Sequence, residues 1–535
     1  MLYLTKTHRY ALSILSGILL VVSFPYTGSL TPFVFVAWIP LLLVENYISL
    51  KRYRSSKVFL HAYLVFLVYN IGTTWWIWNA SPEGAVMAFT LNSLLMTLVF
   101  YLFHLTKKYI GKKEGYLSLL FYWISFEYLH FHWELSWPWL NLGNTFSIHP
   151  YAVQWYAYTG ILGGTLWILV VNLIGFRIVE NRFLKREKWV IQTPLVYLFV
   201  LAIFVPFLLS LYQYSSYTEK EKPLEVVVLQ PNIDPYNEKF SASEEEQLEK
   251  MYSLGKRLVR PSTAFVLAPE TAISYPFYEE EIVFSRFYPY LIRQQERWGN
   301  PSFLIGASTL RHFNEKQSIA SRAYQDGPGY YESYNTTLLL APHVAPEFLH
   351  KSKLVLGVEK MPFTESLPFL ERLSIDKGGT SGTLGIEKEP KVLRAENTTI
   401  APIICYESVY GGFIAEQCRK GAEVLFVITN DGWWGDTPGY KQHASFSRLR
   451  AIENRRSVCR SANTGISCFI NQRGDIVQRT GWWEAKALRG NVNRHIEKSF
   501  YTIYGDVLGR SFTFVSALLL LLTFVRGFKK RYSIG

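Results

Sequence analysis

Apolar and polar positions divide this chain into runs. Eight largely uncharged apolar stretches are centred on residues 11–25, 32–50, 58–78, 85–104, 116–130, 157–176, 189–211 and 511–525. Several approach the roughly 20 residues that a helix needs to cross about 30 Å of hydrocarbon. The pattern predicts eight transmembrane helices. Between the seventh and the eighth, the pattern changes to short aliphatic and β-branched runs alternating with charged, helix-like stretches, which predicts a globular α/β domain. Strands are expected at 224–231, 263–270, 302–309, 334–342, 398–407, 422–431 and 456–463, and helices at 243–259, 408–423 and 440–456. The implied division is 1–216 for helices one to seven, 217–500 for the α/β domain and 501–535 for the last helix with a basic tail.

The loops between the apolar runs alternate in charge. Lys6 and Arg9 precede the first run, KRYRSSK (51–57) follows the second, KKYIGKK (107–113) the fourth, 176–188 the sixth and RGFKKR (526–531) the eighth. Loops after the first, third and fifth hold almost no Lys or Arg. By the positive-inside rule both termini are cytoplasmic, and the α/β domain lies on the opposite side. A signal peptide is the alternative for the first run, but no clear small-residue cleavage site follows and the even count would be lost. Seven buried core helices in succession would need a core larger than one domain supports.

Composition adds little to this picture and contradicts none of it. Aromatics reach 16% of the 535 residues, which suits a protein with much surface at lipid headgroup level. The net charge of +13 raises nucleic acid as a partner, yet many of the cations lie in the short loops, so none is expected.

Three predicted strands end on residues able to do chemistry: Glu270, Cys405 with Glu407, and Asn430 with Asp431. Strand ends in α/β sheets open onto ligand crevices, so these groups are placed to meet. Cys405 by itself reads as a small buried hydrophobe, the usual role of a Cys at the end of an apolar strand. Standing between a strand and the stretch 408–423, its thiol would feel a helix dipole that lowers its pKa from about 8.5. Cys459 and Cys468 flank an expected strand and turn, and four cysteines allow disulfides. Neither CxxC nor a Cys/His zinc spacing occurs, so no metal is expected.

LAPE ending in Glu270, HKSKLVLGVEKMPF (350–363) and ICYES around Cys405 together resemble the Glu, Lys and Cys motifs of the nitrilase, or carbon-nitrogen hydrolase, superfamily. Its branch with eight spans and an extracytoplasmic hydrolase domain is the apolipoprotein N-acyltransferases, and LQPNIDPYNEKF (229–240) and the stretch 429–465 resemble that branch further. The resemblance implies an αββα sandwich and a bacterial inner-membrane enzyme with its catalytic domain facing the periplasm. It implies transfer of a fatty acyl group from a phospholipid to the amino terminus of a diacylated apolipoprotein through a Cys thioester, without a cofactor. Cys405 would be the nucleophile, Glu270 the base and Lys351 the oxyanion stabiliser, with Lys353 the competitor for that role. Glu359, Tyr406 and Glu407 would support them. Trp433, Trp434 and Phe240 would touch lipid, although Phe240 stands where the family has Trp and the Pro-Phe-Gly expected before Glu359 is missing. His443, Arg448 and Arg450 would brace the fold or contact headgroups rather than react.

The nearest alternative is a membrane-tethered amidase or nitrilase acting on a soluble substrate, for which one span would suffice. A transporter or receptor would carry charged or broken helices inside the membrane, and these runs are poor in both. The charge alternation makes a direct prediction. Reporter fusions at Arg54, Lys108 and Lys185 should report cytoplasm and a fusion at Gln247 the opposite side; a cytoplasmic signal from Gln247 would overturn the topology.

Overall fold

A computed structural model of the chain describes residues 4–184, 188–239, 241–364 and 383–532. The chain divides into two compact units, Met1–Ser216 with Tyr504–Gly535, and Tyr217–Ile503.

In the first unit each apolar run overlaps a long helix: Lys6–Ser23, Ile39–Leu50, Ser56–Thr74, Pro82–Tyr109, Lys112–Leu129, Ile161–Val179, Trp189–Ser216 and Val507–Tyr532. Five helical segments, Thr31–Leu50, Pro82–Tyr109, Ile161–Arg182, Ile191–Ser216 and Val507–Lys530, are long and apolar enough to cross a membrane. The second run is not one helix, because a 3-10 turn over Thr31–Phe35 precedes Ile39–Leu50. Asn172 closes that break: its side-chain carbonyl accepts from the Trp38 N–H at 2.9 Å and its amide donates to the Val34 carbonyl at 2.8 Å. In hydrocarbon an unpaired backbone group costs several kcal/mol, so such a repair is needed. Gly17 allows Lys6–Ser23 to lie against Ser56–Thr74, since a Cβ there would sit 2.8 Å from the Val65 carbonyl oxygen. Leu201, Phe204, Leu208, Phe514 and Leu521 point outward, an apolar surface suited to lipid rather than water.

The second unit is built on two sheets. Strands β1 (Pro223–Gln230), β2 (Phe265–Leu267), β3 (Ile273–Tyr278), β4 (Ser302–Phe313), β5 (Arg322–Ala323), β6 (Tyr330–Leu340) and β7 (Glu347–His350) belong to the first. Strands β8 (Leu393–Ala395), β9 (Thr398–Ile404), β10 (Val424–Thr429), β11 (Val458–Ala462), β12 (Cys468–Ile470) and β13 (Ile476–Arg479) form the second, and β14 (Lys486–Asn493) returns to pair with β1. The central strands β1–β2–β4 and β9–β10–β11 are parallel, as their continuous aliphatic runs predict; β3 also joins β4 in parallel, and the other flanking pairs are antiparallel.

Alternation along the strands sorts side chains into layers. Val226, Val228, Leu267 and Leu304 point into the space between the sheets and meet Ile400, Ile404, Phe426 and Ile428. Val227, Leu229, Val266 and Ile305 point the other way, against Leu248 and Met251 of helix Glu244–Lys256 and Leu291 of helix Tyr288–Arg297. Helices Gly411–Arg419 and Pro438–Asn454 cover the second sheet. The order is helix, sheet, sheet, helix.

All four cysteines are free. On the antiparallel pair β11–β12, Cys468 faces Arg460 and Cys459 faces Phe469. One residue of offset puts the two thiols on opposite faces of the sheet, which rules out a bond between them.

Phe265 and Phe426 meet edge to face at 5.1 Å across the inter-sheet core. Phe426→Ala should therefore lower the stability of this unit by about 3–5 kcal/mol. Thermal unfolding of the full-length protein in detergent checks this, and a loss below about 1 kcal/mol would show that the two sheets do not depend on that contact.

Candidate active site

The groups at the strand ends meet at one edge of the sandwich. Glu270 lies three residues beyond β2, on a loop pressed against β4. Gly306 of β4 makes the approach possible, since a Cβ there would stand 2.5 Å from the Thr271 nitrogen and 2.6 Å from the Glu270 Cα. The Gly306 N–H donates to the Pro269 carbonyl at 3.1 Å and holds the loop in place.

Lys351 follows β7, and its N–H donates to the Asn335 carbonyl of β6 at 2.8 Å. Its ammonium is buried and donates to Glu270 Oε1 at 3.1 Å and Glu359 Oε1 at 2.9 Å. The Asn335 amide joins the same two oxygens at 2.8 Å and 3.0 Å. Glu270 Oε2 accepts the Asn430 N–H at 3.0 Å from the end of β10, and Glu359 Oε2 accepts the Val355 N–H at 2.8 Å. Burial alone would raise the Glu270 carboxyl, but the Lys351 ammonium, the Asn335 amide and Lys239 together hold it below its ordinary value. Burial likewise pulls Lys351 down, and Glu270 and Glu359 lift it well above a free lysine. At neutral pH this is a carboxylate beside an ammonium. Lys353, two residues on, is elsewhere, its ammonium 5.4 Å from the Tyr410 ring centre.

Cys405 begins a 3-10 turn (Cys405–Val409) at the end of β9, in the left-handed backbone region with φ of 51°. A non-glycine residue there is strained and must be held by its surroundings. Its carbonyl accepts from Ser408 Oγ at 2.8 Å and lies 3.1 Å from His443 Nε2. His443 Nδ1 is 2.8 Å from Asp431 Oδ1, and Asp431 Oδ2 takes a hydrogen bond from Arg460 at 2.7 Å. Glu407 is buried and ties the turn to the lysine loop: Oε2 accepts the Ile404 N–H at 2.7 Å, and Oε1 the Ser352 N–H at 2.6 Å. Burial pushes its carboxyl up to about 7. Tyr406 is buried edge to face against Tyr410 at 5.3 Å.

One expectation is corrected here. The helix following Cys405 starts only at Gly411, beyond the 3-10 turn, so its dipole does not lower the thiol's pKa. Burial, followed by the negative charge of Glu270, pushes the thiol well above its ordinary value. The resting group is a neutral thiol.

Cys405, Asp431 and His443 lie close enough to share a cation. Arg460 already supplies positive charge to Asp431, and His443 is engaged at both nitrogens, which favours a brace over a metal centre. Arg450 donates to the Val409 carbonyl at 2.9 Å and to Glu453 at 3.0 Å, and Arg448 donates to the Gly474 carbonyl at 2.7 Å. Trp433 is half-buried beside the loop after β1, taking the Tyr236 hydroxyl on its carbonyl at 2.8 Å, and Trp434 packs on His443 at 5.6 Å. Phe240 lies outside the described residues.

Three groups of this site are not among the candidates of the sequence: Asn335, Gly306 and Lys239. Asn335 and Gly306 sit in apolar strands, where an amide and a missing side chain were the only signals.

Residues 16–174 match the apolipoprotein N-acyltransferase N-terminal domain, and residues 225–497 match the carbon-nitrogen hydrolase family. An apolipoprotein N-acyltransferase of Chlorobaculum tepidum is 30% identical over 528 residues, covering 97% of each chain. Another, from Geobacter metallireducens, is 27% identical over 539 residues, covering 97% of this chain and 95% of its own. A solved Saccharomyces cerevisiae member of branch 10 of the nitrilase superfamily aligns with 55% of this chain and 99% of its own at 15% identity, with a TM-score of 0.36. The matches run through both units, and the chain belongs to the apolipoprotein N-acyltransferase family.

Proposed function

We propose that this acyltransferase takes a fatty acyl group from a membrane phospholipid onto Cys405 as a thioester, then passes it to the amino terminus of a diacylglyceryl-cysteine lipoprotein. The observation that carries this reading is the buried set of Glu270, Lys351 and Cys405 in a chain related to acyltransferases over both units. A tethered amidase of soluble substrates would have no use for so many apolar helices.

In the first half-reaction Cys405 Sγ attacks the ester carbonyl while its proton passes to Glu270. Two N–H groups of Lys351 are directed at Glu270 and Glu359, and the third is left for the tetrahedral oxyanion. Collapse breaks the ester C–O bond, and the lysophospholipid alcohol leaves with the proton from Glu270. In the second half-reaction the lipoprotein amine attacks the thioester, Glu270 takes a proton from the nitrogen, and Sγ leaves and is reprotonated. Glu359 and Asn335 position the lysine, and Glu407 couples its loop to the nucleophile turn. Tyr406 shapes the pocket, and Trp433 and Trp434 offer aromatic surface to lipid.

The same reading assigns eight spans, residues 1–216 and 501–535 to the bacterial inner membrane, and residues 217–500 to the periplasm. The alternation of Lys and Arg between the apolar runs supports it.

Lys351→Ala should lower turnover by about 10²- to 10³-fold, the usual cost of one oxyanion donor, while Lys353→Ala keeps a substantial part of it. Equal losses in two folded variants would remove Lys351 from this role. More directly, purified protein given phospholipid and no acceptor should gain the mass of one acyl group on Cys405, released by neutral hydroxylamine. Cys405→Ser should lack the labile adduct, and a diacylglyceryl peptide with a free amino terminus should discharge it from the wild type as a triacylated amide. If turnover proceeds and no acyl mass reaches Cys405, the thioester route is wrong.

A further inference from the structure

The loop after β1 brings a second lysine to the same centre. Asp234 builds a tight turn whose carbonyl accepts the Glu238 and Lys239 N–H groups at 3.1 Å and 2.9 Å, and whose side chain accepts the Tyr236 N–H at 2.8 Å. Asn463 fixes the base of the loop, taking the Ile233 N–H at 3.1 Å and donating to the Ile233 carbonyl at 2.8 Å. Gln247 donates to the Lys239 carbonyl at 3.0 Å. The Lys239 ammonium is thereby buried, hydrogen-bonded to the hydroxyl of Thr271 next to Glu270, and 5.9 Å from the centre of the Trp433 ring.

A buried ammonium is costly unless negative charge offsets it. The negative charges that act on Lys239 are Glu270 and, once its proton has left, Cys405. Facing Glu270 are Lys351, Asn335, the Asn430 N–H and Lys239; facing Cys405 are Glu270, Lys351 and Asp431, with His443 close by. Asp431 is paired to Arg460 at 2.7 Å, and Lys351 is divided between Glu270 and Glu359. Two carboxylates and one ammonium leave a net negative charge beside a thiol that must itself become negative. A second cation cancels that excess.

We propose that Lys239 is the second cation of the catalytic centre, a positioning residue that keeps Glu270 ionised and ready to take the thiol proton. The inference rests on Cys405 and Glu270 acting as described above. Without Lys239 the excess negative charge is relieved when Glu270 takes up a proton from water, which removes the base. Burial lowers Lys239 to about 8 against the pull of Glu270 and Cys405, so the site holds this charge at neutral pH and gives it up in mild alkali.

The test is single-turnover acylation of Cys405 in the full-length protein by phospholipid in mixed micelles, followed by intact mass across pH. With Lys239→Met the acid limb of the rate profile should move up by about one pH unit and the rate on that limb fall about tenfold, while Lys239→Arg keeps both near wild type. An unmoved limb, or an Arg variant displaced as far as the Met variant, overturns the proposal. Should Lys239→Met fail to fold, Thr271→Val frees the ammonium from its anchor and carries the test: a smaller shift in the same direction is expected, and none overturns it. Absence of acyl mass on Cys405 in the turning-over wild type defeats the nucleophile assignment and this proposal with it. A normal adduct with an unmoved limb defeats only Lys239.

Discussion

One buried ammonium sets the terms for the catalytic unit. Lys351 sits away from water between Glu270 and Glu359, and removing three charges from water is affordable only where geometry is tight and every remaining lone pair is met. The Asn335 amide bridges the two carboxylates, and the N–H groups of Asn430 and Val355 take their outer oxygens. These contacts come from β6, the loop after β7 and the end of β10, so both sheets must be assembled before the cluster closes. The close pass of the Glu270 loop over Gly306 is the steric side of the same demand.

Glu407 extends the constraint to Cys405. With one oxygen on the N–H of Ile404, just before Cys405, and the other on the N–H of Ser352, just after Lys351, it makes the positions of thiol and ammonium interdependent. The left-handed backbone at Cys405 persists because Ser408, His443 and Glu407 all bond to its immediate surroundings. Behind His443, Asp431 and Arg460 form a closed buried pair, which explains why a histidine so near a cysteine is a brace.

Much of this was readable from the chain alone. Apolar runs located the helices, because length and lack of charge are what hydrocarbon requires, and continuous aliphatic runs located the central parallel strands. Edge strands such as β13 and β14 escaped notice, since Ile476–Arg479 and Lys486–Asn493 carry mixed polarity and owe their conformation to neighbours. The interruption at 36–38 was hidden for a similar reason: its repair comes from Asn172, 134 positions away from Trp38. Glu270, Lys351 and Cys405 stood out by their motifs. Asn335 did not, because an amide in a strand reveals its function only when the register puts it opposite two carboxylates. The supposed help of a helix dipole failed on a boundary, where five residues of 3-10 turn separate the strand from the helix.

That failure changes how Cys405 would work as the proposed nucleophile. A thiolate at rest would be a buried charge, and an acyl chain arriving beside it would strip away whatever solvation it had left. In the proposed mechanism a neutral thiol next to an ionised base avoids this cost, because negative charge already sits on Glu270 within its hydrogen-bonded cage and would move to sulfur only as the ester carbonyl is attacked. The cage that makes Glu270 a stable anion also makes it a weaker base. Catalysis on this plan therefore depends on cations placed to follow the charge as it moves from carboxylate to sulfur and carbonyl oxygen, and the placement of the lysines around the cluster matters more than the acidity of any one group.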